Sequence, residues 1–459
     1  MTRRQLMGLP LAAPWLARAA NQKLNVLFIA VDDLNNRLGC YGDPLVKTPN
    51  IDRLAARGVR FDRAYCNYPL CNPSRTSLLS GRRPDTTRIL DNMTPPRTHL
   101  GEVAFLPEHF RHHGYFTARV GKIAHGRFED AVRWDVSESS RPGQRYSAPP
   151  PVEKDGGAVK LRWHATANDD ANEPDGRTAR RIVELMDQGG GKPWFLGAGF
   201  HKPHLPWIAP KKYFDLYPPE RIVLPPTPAD DRADIPPIAL TRTPSDDQMS
   251  ALDKKTAIAA YHAATSFMDA QVGVLLDSLD RRQLWDRTIV LLFGDHGWHL
   301  DDHGGLWRKM TVFEESARAP LIVVAPGKKP GVSPRLVEFV DLYPTLAGLC
   351  GLPLPEGLEG ASFAPLLDDP RQPWKKAAFT VVQRREATLG RSLRTERYRY
   401  TEWGSENVAE LYDHQADARE WRNLAADPQH AATVAEMRRL LRAGWRGALP
   451  PSTSRSTGS

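Results

Sequence analysis

The chain has 459 residues, of which 41% are hydrophobic and 25% charged, as in an ordinary soluble globular protein. Its length exceeds one small core and suits a large α/β domain with a smaller second domain. The net charge of +8 favours anionic partners such as an acidic surface or a polyanionic substrate. Nucleic acid is disfavoured, because the arginines are scattered and the sequence has no basic helix, zinc-ligand spacing or aromatic RNA-binding motif.

The first 20 residues predict an export signal. Arg3-Arg4 precedes a modestly apolar run, residues 6–16, and Ala17-Arg18-Ala19 matches an A-x-A cleavage pattern. The paired arginines indicate the twin-arginine route, and a ragged, disordered N-terminus is the alternative. The apolar run is too short to span a bilayer, and no later stretch is long enough. We therefore expect a periplasmic or secreted protein without a membrane span.

Apolar strands and helices alternate through most of the chain. "KLNVLFIAVDDL" predicts a buried parallel strand with polar residues at its carboxyl end, and a helix beginning at Asn50 follows. "GKPWFLGAGFHKPH" and "RTIVLLFGDHGWHL" predict two more such strands, separated by helical spacing from Thr256 to Leu284. "APLIVVAP" continues the alternation. The pattern predicts an α/β fold with a large mixed or parallel sheet covered by helices on both faces.

Several polar side chains follow directly on these strands. Sheets of this class bind ligands beyond the carboxyl ends of their strands. The carboxylates among them supply hard oxygen ligands, which favour Ca²⁺ or Mg²⁺ over zinc. A helix-capping pair is the alternative at the first strand, but two adjacent charges after a buried strand need compensation. The side chains at these strand ends are Asp32, Asp33, His201, Asp295 and His296.

The composition also predicts how the chain is divided. Two Pro-rich segments, 137–157 and 218–244, read as surface loops. From about residue 376 short antiparallel strands and a helix predict a small α+β subdomain. We expect a catalytic domain at 21–375, the subdomain at 376–448 and a disordered tail at 449–459.

Cys71 stands in the polar strip "PLCNPSRTSLLSGRRP". It could be a packing residue, one half of a disulfide with Cys66, a nucleophile paired with a histidine, or the precursor of another group. Four cysteines in so long a chain are not a disulfide framework. A soft thiolate is also a poor partner for a calcium-like ion, so an oxygen at this position would suit a site shared with three aspartates.

The strip resembles the sulfatase signature Cys-x-Pro-Ser-Arg-x-x-x-Leu-x-Gly-Arg, and the resemblance extends over nearly the whole mature chain. The signature is matched by Cys71, Pro73, Ser74, Arg75, Leu79, Gly81 and Arg82. The strips "VDDLNNRLGCYGD", "GYFTARVGKIAHG", "GFHKPHLPW" and "GDHGWHLDDHGGLWRKMTVFE" are similar to the iduronate-2-sulfatase-like branch, and "ELYDHQADAREWRNLA" resembles a closing motif of many sulfatases. The resemblance implies an alkaline-phosphatase-like fold.

The same resemblance implies a formylglycine-dependent, type I site. Asp32, Asp33, Asp295 and His296 would bind one Ca²⁺ together with an oxygen of residue 71. That oxygen belongs to the hydrated aldehyde of a formylglycine, which a formylglycine-generating enzyme makes from Cys71.

The remaining positions of the motifs imply further roles. Arg75 would contact the hydrated aldehyde, Lys122 and Lys309 would bind sulfate, His125 would touch the hydrate, and His201 would protonate the leaving alcohol. Substrate contact and structural support of the site are open alternatives at four residues that flank it: His204, Trp298, His299 and His303.

We therefore expect a calcium-dependent sulfatase that acts on a sulfated carbohydrate, with an exo-acting 2-O-sulfatase on a uronic acid as the best single hypothesis. One alternative is a phosphomonoester or phosphonate-monoester hydrolase of the same superfamily. Two others leave position 71 as a cysteine: a non-catalytic glycan-binding relative, and a hydrolase with a cysteine nucleophile.

Overall fold

The computed structural model describes residues 23–140, 161–241 and 244–450. The predicted export signal, residues 1–20, and nearly all of the predicted tail at 449–459 lie outside the described residues, as does most of the predicted loop at 137–157. None of the helices in the described ranges combines the length and the apolar composition that a membrane crossing requires.

The strands alternate with helices in the first three quarters of the chain and follow one another near its end. They are β1 (Asn25–Val31), β2 (Val59–Tyr65), β3 (Phe116–Gly121), β4 (Val136–Glu138), β5 (Trp163–Thr166), β6 (Trp194–Phe200), β7 (Trp207–Pro210), β8 (Thr288–Gly294), β9 (His299–Asp301), β10 (Leu306–Arg308), β11 (Leu321–Val324), β12 (Gly331–Glu338), β13 (Ala378–Gln383), β14 (Leu389–Arg394), β15 (Tyr398–Trp403) and β16 (Ser405–Asp413).

The α-helices differ widely in length. They are α1 (Pro49–Ala55), α2 (Cys71–Ser80), α3 (Pro84–Thr87), α4 (Leu106–His112), α5 (Pro174–Leu185), α6 (Lys211–Phe214), α7 (Pro244–Asp247), α8 (Ala251–Arg281), α9 (Asp302–Gly305), α10 (Glu314–Ala317), α11 (Leu342–Leu349) and α12 (Ala431–Gly447).

Two helices begin earlier than the sequence predicted. α1 starts at Pro49 rather than Asn50, because proline suits the first helical position, where no backbone N–H is needed. α8 starts at Ala251 rather than Thr256, because the Ser250 hydroxyl accepts a hydrogen bond from the Asp253 amide and caps the helix there.

Eight strands form one mixed sheet in the order β12-β2-β11-β8-β1-β6-β3-β4. β1 pairs in parallel with β6 and β8, whereas β11 runs antiparallel between β2 and β8. The carboxyl ends of β1, β6 and β8 therefore meet at one edge of the sheet, as the sequence predicted. These three strands are buried along their whole length, which explains why they read as unbroken apolar runs.

Two hydrophobic cores lie on opposite faces of this sheet. Alternate side chains of β1 enter one core with residues of α4 and α11, and the intervening side chains enter the other with residues of α1, α5 and α8. This alternation follows from the two-residue period of a strand. Because both faces are covered, polar side chains of the central strands can only gather at the strand ends.

The predicted C-terminal α+β subdomain is present. β13, β14, β15 and β16 form an antiparallel sheet in sequence order. One face packs against α12, where Tyr400 and Leu411 meet Met437. The other face packs against the large domain, where Tyr412 joins a cluster with Phe313. The small sheet thus lies between its own helix and the large domain.

Candidate active site

Three carboxylates meet at the carboxyl edge of the large sheet. Asp32 and Asp33 directly follow β1, and Asp295 directly follows the adjacent parallel strand β8. All three are buried, with exposures of 1%, 0% and 0%, and their oxygens lie within 4.8 Å of one another. The Asp33 amide donates a hydrogen bond to Asp295 Oδ1 at 3.0 Å and joins the two strand ends. So much buried negative charge requires cations nearby.

The backbone at Asp33 turns the chain so that its side chain faces this cluster. Asp33 has a φ of 61°, in the left-handed region that non-glycine residues seldom adopt. The buried Tyr261 hydroxyl donates to the Asp33 carbonyl at 2.8 Å and accepts from the Asn35 amide at 2.9 Å. Sequence reasoning missed Tyr261, because its position within the long helix α8 resembles that of any packing residue.

The donor set fits a hard divalent cation. Asp33 Oδ2 is buried and has no hydrogen-bond partner within the described residues, an arrangement that is costly unless a cation binds there. His296 adds an imidazole nitrogen 3.4 Å from Asp33 Oδ1 and 3.6 Å from Asp295 Oδ2. Carboxylate oxygens are the preferred ligands of Ca²⁺. The four side chains predicted as metal ligands therefore lie together.

Cys71 lies at the start of α2, fully buried and beside this cluster. Its sulfur is 3.1 Å from Lys309 Nζ, 3.4 Å from His296 Nε2 and 3.8 Å from Asp33 Oδ1. The positive end of the α2 dipole also favours negative charge at this position. Cys66 and Cys71 are both free thiols, so the disulfide considered from the sequence is not present.

The electrostatic surroundings of Cys71 favour an anion. Burial alone would raise the pKa of the thiol, but Lys122, Lys309 and His296 hold that pKa well below its usual value. His125 contributes through a hydrogen bond to Cys71. The second cysteine of this segment, Cys66, has a pKa raised well above its usual value by burial and by Asp295. Of these two cysteines, Cys71 is therefore the one whose surroundings favour the thiolate.

Arg75 binds the acids rather than the thiol. Its Nε donates to Asp295 Oδ2 at 2.8 Å, and one terminal nitrogen lies 3.3 Å from Asp32 Oδ1. The other terminal nitrogen donates to the carbonyls of Lys122 and Ile123 at 2.7 and 3.0 Å. The resemblance implies a contact between Arg75 and residue 71; the described hydrogen bonds of this buried guanidinium hold the strand ends together.

Lys122 and Lys309 approach the cluster from two sides. Lys122 Nζ donates to Asp32 Oδ2 at 2.5 Å, and Lys309 Nζ donates to Asp33. Burial would lower the pKa of each ammonium, but the acids and Cys71 raise both pKa values, so both stay charged. Burial and Cys71 would raise the pKa of Asp32, but Lys122, His204 and Arg75 hold it well below its usual value.

The His204 ring faces the acids. His204 Nε2 is 3.8 Å from Asp33 Oδ2 and 4.0 Å from Asp32 Oδ2, and the ring also contacts Cys71. Burial lowers the pKa of His204, but Asp33 and Asp32 more than offset this and raise it. The hydrogen bond described for His201 comes from its backbone amide, which donates to Asp175 Oδ1. The catalytic role that the resemblance implies for His201 stays a prediction.

The other three residues considered for substrate contact lie in the interior. Trp298 is 2% exposed and packs edge-on against Trp207, with Lys309 Nζ 5.3 Å from its ring centre. His299 is fully buried, with Nε2 2.7 Å from the Thr311 hydroxyl. Of the two alternatives that the sequence left open for Trp298 and His299, these contacts favour structural support over substrate binding.

His303 is likewise enclosed by protein groups. Its ring stacks on Phe313, and Nδ1 lies 3.2 Å from Asp231. Burial lowers the pKa of His303, but Asp231, Glu315 and Glu420 raise it from 6.5 to about 9. His303 is therefore a buried cation that joins α9 to neighbouring segments, and the geometry again favours structural support.

Comparison with known proteins shows the family of this chain. The model of the sulfatase family matches residues 24–352, and that of the C-terminal region of N-sulphoglucosamine sulphohydrolase matches residues 295–445. The iduronate 2-sulfatase of Homo sapiens is 31% identical over 489 residues, covering 87% of this chain and 88% of that protein.

Solved structures show the same architecture. A 2-O GAG sulfatase superposes with a TM-score of 0.72 at 27% identity, covering 92% of each chain. The phosphonate monoester hydrolase of Agrobacterium radiobacter has a TM-score of 0.79 at 23% identity, covering 92% of this chain and 96% of that one, a likeness of fold alone.

The chain belongs to the sulfatase family. It is a sulfuric ester hydrolase with an alkaline-phosphatase-like fold, which confirms the recognition and the fold class derived from the signature around Cys71.

Proposed function

We propose that this protein is a calcium-dependent sulfatase that hydrolyses an O-sulfate ester of a sulfated glycan through a formylglycine at position 71. One observation carries the proposal: residue 71 lies beside a buried cluster of three carboxylates in which one oxygen, Asp33 Oδ2, has no hydrogen-bond partner within the described residues. A bound cation would balance the negative charge of the carboxylates, and the sulfate group of a substrate would in turn bind to this cation and to the neighbouring lysines.

The metal would be held by Asp32, Asp33, Asp295 and His296, together with residue 71. A bound Ca²⁺ would act as a Lewis acid toward oxygen groups at position 71 and on the sulfate. The support lies in the donor chemistry, since three of the four protein side chains are carboxylates.

An oxygen function at position 71 explains the chemistry of the cluster better than sulfur does, because the hard carboxylate site and a soft thiolate suit different metals. A hydrated aldehyde at position 71 would supply two hydroxyl groups, a nucleophile toward the sulfate ester and a second group that allows the sulfate to be released. Its formation requires a formylglycine-generating enzyme as a maturation partner. We propose this partner on the sequence around Cys71.

The ammonium groups of Lys122 and Lys309 would bind the sulfate oxygens. Lys122 contacts Asp32, and Lys309 contacts Asp33 and Cys71. Preorganised charges of this kind stabilise the charge that develops on the transferring group.

Two histidines would move protons on opposite sides of the reaction. His204 is the better candidate for protonating the leaving alcohol, because its Nε2 faces Asp32 and Asp33 and its ring contacts Cys71. His125, hydrogen-bonded to Cys71, would remove the proton from the remaining hydroxyl at position 71. This assignment moves the acid from His201 to His204.

For the substrate we propose an exo-acting 2-O-sulfatase on a uronic acid. Support comes from the relatives: one is named iduronate 2-sulfatase, and another, 30% identical over 462 residues, is the Delta 4,5-hexuronate-2-O-sulfatase of Bacteroides thetaiotaomicron. The basic balance of the chain agrees with a polyanionic substrate. We further propose that the protein acts in the periplasm or outside the cell, on the basis of the first 20 residues.

One experiment separates these functions. Purified enzyme saturated with Ca²⁺ is assayed on a 2-O-sulfated uronate disaccharide, a 6-O-sulfated glucosamine, an aryl sulfate and an aryl phosphonate monoester. Preference for the 2-O-sulfated uronate supports the full proposal. Preference for the phosphonate would establish the alternative hydrolase. Glycan binding without turnover of any ester would establish the non-catalytic alternative.

A further inference from the structure

Lys202 is a buried lysine beneath the segment that carries His204. It is 3% exposed, and its Nζ donates to the carbonyl oxygen of His204 at 2.9 Å and to that of Pro206. A single ammonium group therefore fixes two peptide carbonyls on either side of Leu205. A buried charge with such contacts restricts the conformation of the chain around it, since losing either contact is costly.

The carbonyl group of Leu205 holds the His204 ring. His204 Nδ1 lies 2.6 Å from the Leu205 carbonyl oxygen, which accepts the Nδ1 proton. This hydrogen bond sets the rotation of the ring and directs Nε2 toward Asp33 and Asp32, at 3.8 and 4.0 Å. The Lys202 ammonium thus holds the backbone around Leu205, and this backbone holds the His204 ring that faces Asp33.

Asp175 holds the start of the same segment. It lies in the first turn of α5 and is 1% exposed, and its two carboxylate oxygens accept hydrogen bonds from the amides of His201 and Lys202 at 2.9 and 2.8 Å. The backbone of Lys202 is therefore anchored to a helix while its side chain holds the residues that follow. Loop residues that carry chemistry need support of this kind from rigid elements.

We propose that Lys202 is a positioning residue that orients His204 for proton transfer to the leaving alcohol, with Asp175 anchoring Lys202. The inference rests on the proposed role of His204 as the acid. Lys202 would act on the reaction through the His204 ring, because its ammonium group holds the carbonyls of His204 and Pro206.

The dependence of the rate on the leaving group tests this. An alkyl alcohol needs protonation as it departs, whereas 4-nitrophenolate departs without it, so loss of the acid slows an alkyl sulfate far more than 4-nitrophenyl sulfate. The variants are Lys202→Met and His204→Gln. The control is Lys211→Met, which removes an exposed lysine at the start of α6 in the same segment. All are measured as holoenzymes at saturating substrate.

We expect Lys202→Met and His204→Gln to lower kcat on the alkyl sulfate by about 10²-fold and on 4-nitrophenyl sulfate by less than about tenfold. KM should change little, and Lys211→Met should match the wild type on both. Lys202→Arg, which retains a cationic donor, should recover part of the alkyl-sulfate rate.

An equal loss on both substrates in Lys202→Met, beside a selective loss in His204→Gln, would overturn this inference and leave the proposed acid intact. An equal loss in His204→Gln would overturn both. If Lys202→Met does not fold, the same criterion applies to Lys202→Arg and Asp175→Asn, where a selective loss supports the inference and an equal loss overturns it.

Discussion

Lys309 joins position 71 to the acidic cluster: its ammonium nitrogen lies 3.1 Å from Cys71 Sγ and also binds Asp33. The same ammonium lies over the ring of Trp298. One cation therefore contacts the residue proposed to be modified, a proposed metal ligand and the ring of Trp298. The charge of Lys309 thus acts on the proposed reacting position and on the proposed cation site at the same time.

Replacing the reacting position should abolish turnover. Cys71→Ala and Cys71→Ser are expected to lower kcat/KM on an aryl sulfate by more than about 10³-fold, because neither residue can form a hydrated aldehyde. Steady-state assays of the purified variants check this. Cys350→Ala, at a partly buried cysteine remote in sequence from the site, should retain activity. Near-normal activity of Cys71→Ala would refute the mechanism.

Removing one carboxylate should weaken the cation site. Asp33→Asn takes away the negative charge of a side chain whose buried Oδ2 accepts no hydrogen bond from the described residues. We expect calcium affinity to fall by more than about 100-fold. A smaller loss, of about 10- to 100-fold, is typical when the changed residue only supports a ligand. Calorimetric titration of chelator-treated protein measures this. The matched control is Asp277→Asn, at an exposed ion pair with Arg53. Unchanged calcium binding in Asp33→Asn would exclude Asp33 as a ligand.

The two histidines of the "GFHKPH" strip should differ in effect. His204→Gln is expected to lower kcat on an alkyl sulfate by about 10²-fold, the usual contribution of a general acid, and His201→Gln by much less. The difference follows from the position of the His204 ring, 3.8 Å from Asp33, whereas His201 is anchored through its amide. The reverse order of the two losses would return the acid to His201.

His303 should make stability depend on pH. Although burial opposes its charge, Asp231, Glu315 and Glu420 raise its pKa from 6.5 to about 9 in the folded protein. Because the folded pKa lies above the unfolded one, the contribution is full below about pH 6.5 and is lost as the pH rises through 9. It amounts to about 3 kcal/mol at most.

Denaturant unfolding of the wild type and of His303→Gln at several pH values measures this contribution. The difference in free energy of unfolding should shrink from pH 6 to pH 9. Groups that His303 does not touch, such as Asp269, whose pKa burial raises to about 6, titrate alike in both proteins and cancel in the difference. His430→Gln, at a partly exposed histidine paired with Asp427, is the matched control. A difference that stays constant or grows with pH would contradict the assignment.

The strand ends of the large sheet were predictable because a strand buried on both faces has an apolar sequence that stops where the polar edge begins. Asp32, Asp33 and Asp295 could therefore be placed at one edge from their positions alone. The direction of β11 could not be predicted, because "APLIVVAP" reads equally well in either orientation, and the structure shows it antiparallel.

The site residues carried by irregular segments were harder to place. His201 and His204 stand three residues apart in one strip, and the backbone path, held by Asp175 and Lys202, decides which ring faces the acids. His299 and His303 come soon after β8, as Asp295 and His296 do, yet their rings contact Thr311 and Asp231 in the interior. Such choices depend on long-range contacts that no local pattern records.

The central claim is that position 71 of the active enzyme presents oxygen and not sulfur. Trypsin releases the peptide Ala64–Arg75, which carries Cys71 together with Cys66, a buried free thiol that serves as an internal control. Denatured active enzyme is alkylated with iodoacetamide, digested and analysed by mass spectrometry. We predict one alkylated cysteine, at 66, and an aldehyde at 71 that reacts with hydrazine reagents. A fully active sample with both cysteines alkylated would contradict the account.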